Sequence, residues 1–303
     1  MRLPWIAAVL LLAGPVVAGA DTLDERYQGL KDAVTSKDAV QVKKLALELF
    51  PLVTQAECES APEDETEKPA WTSRVQHAKD IGLYAEYALY ATAVASPPAT
   101  LVDLVGALEE ANPKSQYLDA AYGPYLVALS QTGQGSKVVP IAEKAVAHFP
   151  ENEDLLLVLA DAAVTHKQSD RALAYANRLV AALSKHPRPE GIPAAQWERK
   201  RNAGLGRGYW ISGVIYGERS QYAAADKNLR AALPLIQGND PMMAAALFHL
   251  GMANYQLGKM TLSRTRVLEA AKFSEQCAAI SSAYTDQARH NAIVMKTEAE
   301  RMR

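Results

Sequence analysis

The chain has 303 residues, 49% of them hydrophobic, and a formal net charge of -2. This is ample apolar content for a buried core and excludes a disordered chain, while the near-neutral balance offers no broad attraction for nucleic acid or anionic lipid. Aromatic residues make up only 7%, and alternating Val/Ile/Thr segments are missing, so strands have little support and an all-α chain is expected.

In chain order, residues 1–20 read as a signal peptide: Arg2 is a short positive region, Ile6 to Leu12 an apolar run, and Ala18-Gly19-Ala20 a small-residue cleavage site before Asp21. No later stretch approaches the roughly 18 uninterrupted apolar residues of a spanning helix. The expectation is an exported protein, periplasmic or secreted, with no integral membrane segment in the mature chain and no lipid-attachment Cys at the cleavage point. Two cysteines, Cys58 and Cys277, would enter an oxidising compartment. Two unpaired thiols are the preferred reading, with a disulfide closing a very long loop as the alternative.

Residues 21–55 predict a helical hairpin turning at Ser36-Lys37-Asp38, with Val42, Leu45, Ala46 and Leu49 forming one apolar face. Residues 56–69 are acidic and Pro-containing, without apolar periodicity, and read as a linker. Over 70–186 the helices are Trp71–Val94, stopped at Pro97-Pro98, and Leu101–Ala111, capped by Thr100. Tyr117–Ser130 and Val138–Phe149 turn at Gly133-Gln-Gly135, and Asp154–Val164 and Ser169–Leu183 join through His166-Lys-Gln. Gly123-Pro124 should kink or delay its helix. Residues 187–193 form a Pro-rich break. Residues 194–278 then carry two hairpins. One turns near Arg219 to Gln221, the other at Gly258-Lys259, and Gly213 and Gly251 lie where helices must touch. Residues 279–303 read as an amphipathic capping helix with Tyr284, Ala288, Ala292 and Met295 inward.

Spacing sets the class. Tyr125, Leu129 and Ala145 recur as Leu159, Ala163 and Leu179, each 34 residues on, and a two-helix unit of that length must stack on neighbours to bury its apolar face. Repeat starts at Asp119, Glu153, Gly206 and Ala244 put Tyr122, Leu156, Tyr209 and Leu247 at the bulky fourth position. Leu250-Gly251, Gly213, Tyr216, Ala172, Ala225, Ala145, Ala232, Ala270 and Pro150 fall at further signature positions. This pattern resembles the tetratricopeptide repeat (TPR) family in its exported bacterial form, closely over 194–278 and degenerately over 70–186. The resemblance implies an α-solenoid of antiparallel helical hairpins wound as a right-handed superhelix, with about five to six hairpins. It also implies that the first helix of each hairpin lines a concave groove. Carried over position by position, the groove residues are Arg207, Trp210 and Val214 in one repeat and Phe248, Met252, Tyr255 and Gln256 in the next. Val127, Ser130, Gln131, Asp161 and Thr165 are their counterparts upstream. Trp210, Phe248 and Tyr255 would serve equally as packing between neighbouring hairpins, and the sequence leaves both roles open. The chaperone-binding carboxylate clamp of this family does not carry over, because Trp210 and Val214 occupy its positions.

Chemistry is hard to find. The six histidines show no i,i+4 metal pair, and there is no nucleophile elbow or phosphate loop. Gly204-Leu-Gly206-Arg-Gly208 follows a helical stretch rather than a strand and reads as close helix packing. No catalytic residue, cofactor or metal is expected. The function implied is a non-catalytic scaffold of the cell envelope that binds a peptide or partner helix in the groove. The alternatives are a structural homo-oligomer, an accessory subunit of an outer-membrane assembly complex and, less favoured, a hydrolase with an unrecognised site.

Overall fold

A computed structural model describes residues 18–189 and 191–302, so all but the last three residues of the expected signal segment lie outside the described residues. Every regular element among the described residues is helical. The helices are α1 (Ala18–Thr35), α2 (Ala39–Glu57), α3 (Lys68–Val94), α4 (Pro98–Ala111), α5 (Gln116–Gln131), α6 (Val138–Ala145), α7 (Glu153–Thr165), α8 (Ser169–Lys185), α9 (Ala194–Glu218), α10 (Tyr222–Ala232), α11 (Asp240–Met260), α12 (Arg264–Ala278) and α13 (Thr285–Arg301), with short 3-10 turns at Gly135–Lys137 and Leu233–Leu235. None of them is long and apolar enough to cross a membrane. The chain divides into two compact units, Met1–Gly133 and Gln134–Arg303.

In the first unit each of α1 to α4 packs on the next, and α1, α2 and α3 also touch the helix two further on. The core is built from α2 residues Val42, Ala46 and Leu49, α3 residues Ile81, Ala85 and Leu89, and Leu104, Leu108, Leu118 and Tyr122. Gly82 lets α2 close on α3, since a Cβ there would stand 2.9 Å from Val53 Cγ1. At two prolines the helices differ from expectation. Helix α4 begins at Pro98, ahead of Thr100, because proline's fixed φ suits the first helical position, where its missing N–H has no partner anyway. Helix α5 runs through Pro124 unbroken.

In the second unit each helix packs on the next, and α7 touches α9 as α9 touches α11. The expected helix ending at Phe149 stops at Ala145, with Val146 as its C-cap, and the His148 and Phe149 N–H groups both close on the Ala145 carbonyl. The glycine-rich phrase 204–208 lies inside α9, and Cβ atoms there would fall 2.5 Å from Leu183 Cδ1, 2.9 Å from Leu235 Cβ and 2.7 Å from Val180 Cγ2. Close packing is thus its role. The second hairpin turns at Thr261–Ser263, not at Gly258-Lys259. Helix α11 continues through Gly258, which is buried where a Cβ would stand 2.7 Å from Val267 Cγ2.

One turn recurs. The connections α1–α2, α7–α8, α9–α10 and α11–α12 each place one non-glycine residue at positive φ, respectively Lys37 (57°), Lys167 (56°), Ser220 (58°) and Leu262 (51°). In each, the next residue's N–H reaches back five residues: Asp38 to Ala33 O, Gln168 to Ala163 O, Gln221 to Tyr216 O and Ser263 to Gly258 O, at 2.8–2.9 Å. This closes the free carbonyls of the first helix and reverses the chain in three residues.

Candidate binding groove

Helices α7, α8 and α9 enclose a recess of about 380 Å³ whose floor and walls are Val164, Ala172, Trp210, Ile211, Val214 and Ile215. Lys167, Gln168, Ser169 and Glu218 make its polar rim. The apolar walls arise because α9 inserts Ile211 and Ile215 among the small residues Ala160, Ala163, Ala172 and Ala176, forming a buried cluster against which Trp210 and Val164 pack. Small residues on α7 and α8 leave the space, and the long α9 supplies the apolar surface.

Two of the expected groove residues, Trp210 and Val214, line this recess. Trp210 is held firmly, its indole N–H donating to the Met242 carbonyl at 2.8 Å. Arg207 sits one turn before it. Its guanidinium donates to Asp161 at 2.7 Å and lies 4.7 Å from the Trp210 ring, so its charge is already partly neutralised and stacked. Asp161, another expected groove position, is therefore the partner of Arg207.

The second set is arranged differently. Phe248 stacks on Tyr284 with centroids 4.7 Å apart. The Met252 sulfur accepts from the Asn291 amide at 3.3 Å, and the Tyr255 hydroxyl donates to the Glu298 carboxylate. These partners recur at seven-residue steps beginning just before α13 and continuing along it, so this helix runs past these three residues of α11, expected in the groove, and engages each. Gln256 is partly buried on the same helix. The Tyr255 phenol is pushed up chiefly by its bond to Glu298, and the Glu298 carboxyl is held down by that same bond and by Lys259. Between the two sets, the His249 imidazole is pushed down by burial. It fills the space beside Gly217, where a Cβ would meet its Nδ1 at 2.7 Å.

Sequence reasoning missed Ile211, Ile215, Lys167 and Glu218. Glu218 was within reach, since it holds the thirteenth position of the repeat that begins at Gly206. In the first unit it missed a row of tyrosines. Tyr27 and Tyr84 lie 5.3 Å apart, Tyr84 and Tyr87 6.1 Å, and Tyr87 and Tyr90 each 5.7 Å from Tyr117. The row joins α1, α3 and α5, with Lys31 4.4 Å from the first ring. Both cysteines are free, Cys58 exposed and Cys277 buried, and burial pushes the Cys277 thiol up to about 11. No cluster of three or more metal-ligating side chains occurs among the described residues. Comparison with protein-family models and with curated protein sequences finds no match.

Proposed function

We propose that this protein is a non-catalytic interaction scaffold, a TPR-like α-solenoid of antiparallel hairpins wound as a right-handed superhelix. In this reading it is exported to the cell envelope by the segment 1–20 and docks a peptide or partner helix in the recess between α7, α8 and α9. The observation that carries the reading is the recess itself. Its apolar interior of Trp210, Ile211, Val214 and Ile215 takes an aliphatic or aromatic side chain, and its rim of Lys167, Gln168, Ser169 and Glu218 takes the flanking backbone. The recurrent turn and the α7–α9–α11 stacking support the repeat architecture, because one supersecondary unit is being used again. Arg207 serves as a support for Trp210 in this scheme, since Asp161 already occupies it.

The test is a pull-down of the mature protein from its native envelope beside a Val214→Glu variant of unchanged melting temperature. The reading predicts a discrete protein partner retained by the native protein and lost by the variant. Equal capture by both contradicts it.

A further inference from the structure

Helix α13 presents two faces of different fate. Ala288, Ala292, Met295 and Ala299 are buried, and at 100° per residue they share one side of the helix. The opposite side carries Asp286, His290, Ile293, Val294, Thr297 and Arg301, all of them exposed or nearly so. Ile293 is 63% and Val294 41% exposed, an adjacent apolar pair in open solvent. They share one shallow depression with Thr297 and Arg301.

The charges on this face have an order that an antiparallel copy of it would match. Asp286 lies seven residues before Ile293, and Arg301 seven after Val294. When Ile293 is set against Val294 of a second, antiparallel α13, Asp286, whose exposed contact with Arg289 at 2.9 Å on its own helix would be shared or exchanged, falls opposite Arg301 of that copy, and the two-fold axis repeats the contact at the other end. His290 then faces Thr297. The apolar pair meets its equivalent at the centre, and an ion pair closes each flank, the arrangement of an isologous interface. We propose that the outer face of α13 is a homodimer interface, with a second copy of this chain as its occupant. It lies on a different helix from the recess-forming α7, α8 and α9 and stands independently of the peptide-binding reading.

Sedimentation equilibrium of the full mature chain across a wide concentration range tests this. The expected result is a reversible rise from monomer to dimer mass, weakened by added salt because exposed ion pairs are screened. Asp286→Arg and Arg301→Asp each set like charges opposite one another and should shift the transition to higher concentration by about tenfold or more. The double variant D286R/R301D restores opposite pairs and should recover it. All three alter exposed positions, and unchanged melting temperatures confirm their fold. A chain monomeric throughout overturns the proposal, and so does a dimer indifferent to the charge swap. A monomer whose Ile293→Asp variant loses a different protein in the pull-down assigns the face to another partner and equally overturns it.

Discussion

Gly213→Ala isolates the contact between α9 and α10. Elsewhere in a helix this change is favourable, since alanine exceeds glycine in helix propensity by about 1 kcal/mol. At Gly213 the new methyl would lie 2.5 Å from Leu229 Cγ, 2.6 Å from its Cδ2 and 3.1 Å from its backbone nitrogen. Leu229 is completely buried, so its side chain has no open rotamer, and the backbone contact requires the helices to separate. Overpacking of this kind costs about 1–3 kcal/mol, and offset by the propensity gain it leaves a net loss of up to about 2 kcal/mol. Gly106→Ala is the control, because its methyl would meet only the Tyr125 hydroxyl, at an ordinary 3.6 Å, and a gain of up to about 1 kcal/mol is expected. Urea unfolding followed by circular dichroism reads both. The reasoning is refuted if Gly213→Ala stabilises as Gly106→Ala does.

Leu262 is 82% exposed and holds φ at 51°, so Leu262→Gly relieves left-handed strain and should raise stability by up to about 1 kcal/mol, read as a higher urea midpoint. His249 titrates below its unfolded value, so the unfolded chain binds the extra proton first. Stability is therefore full above the unfolded value near 6.5 and falls as pH drops from there towards the folded value, by at most about 1.4 kcal/mol per pH unit from this group. His249→Phe should flatten that slope in urea midpoints measured between pH 7.5 and 5.5, and an identical slope in both proteins refutes the assignment. A thiol reagent at pH 8 should modify Cys58 rapidly and Cys277 only on unfolding, because Cys277 is buried with its thiol donating to the Ala244 carbonyl at 3.3 Å. Mass spectrometry of the labelled peptides decides.

The helical class was readable in the sequence because helix-forming residues and capping turns announce themselves locally, as Asp38 does by accepting from the Val40 and Gln41 N–H groups. Glycine was harder. A glycine near a helix end suggests a turn, yet Gly258 is spent on close approach to Val267, and Leu262 takes the left-handed position instead. The engagement of Phe248, Met252 and Tyr255 by Tyr284, Asn291 and Glu298 was not legible. Those pairs lie 36 to 43 residues apart and belong to no repeat signature. The recess was half legible. Position-by-position transfer reached Trp210 and Val214, whereas Ile211 and Ile215 fall at none of the transferred positions, and only the small residues facing them open the space.

The most direct measurement is site-specific photo-crosslinking in the cells that make the protein, with a photoreactive residue placed at Val214 inside the recess and, separately, at Val40, an exposed position in the other unit. The interaction-scaffold account predicts a single protein adduct from position 214, mapped to a short segment of the partner and absent from position 40. No adduct at position 214, or the same adducts from both positions, contradicts it.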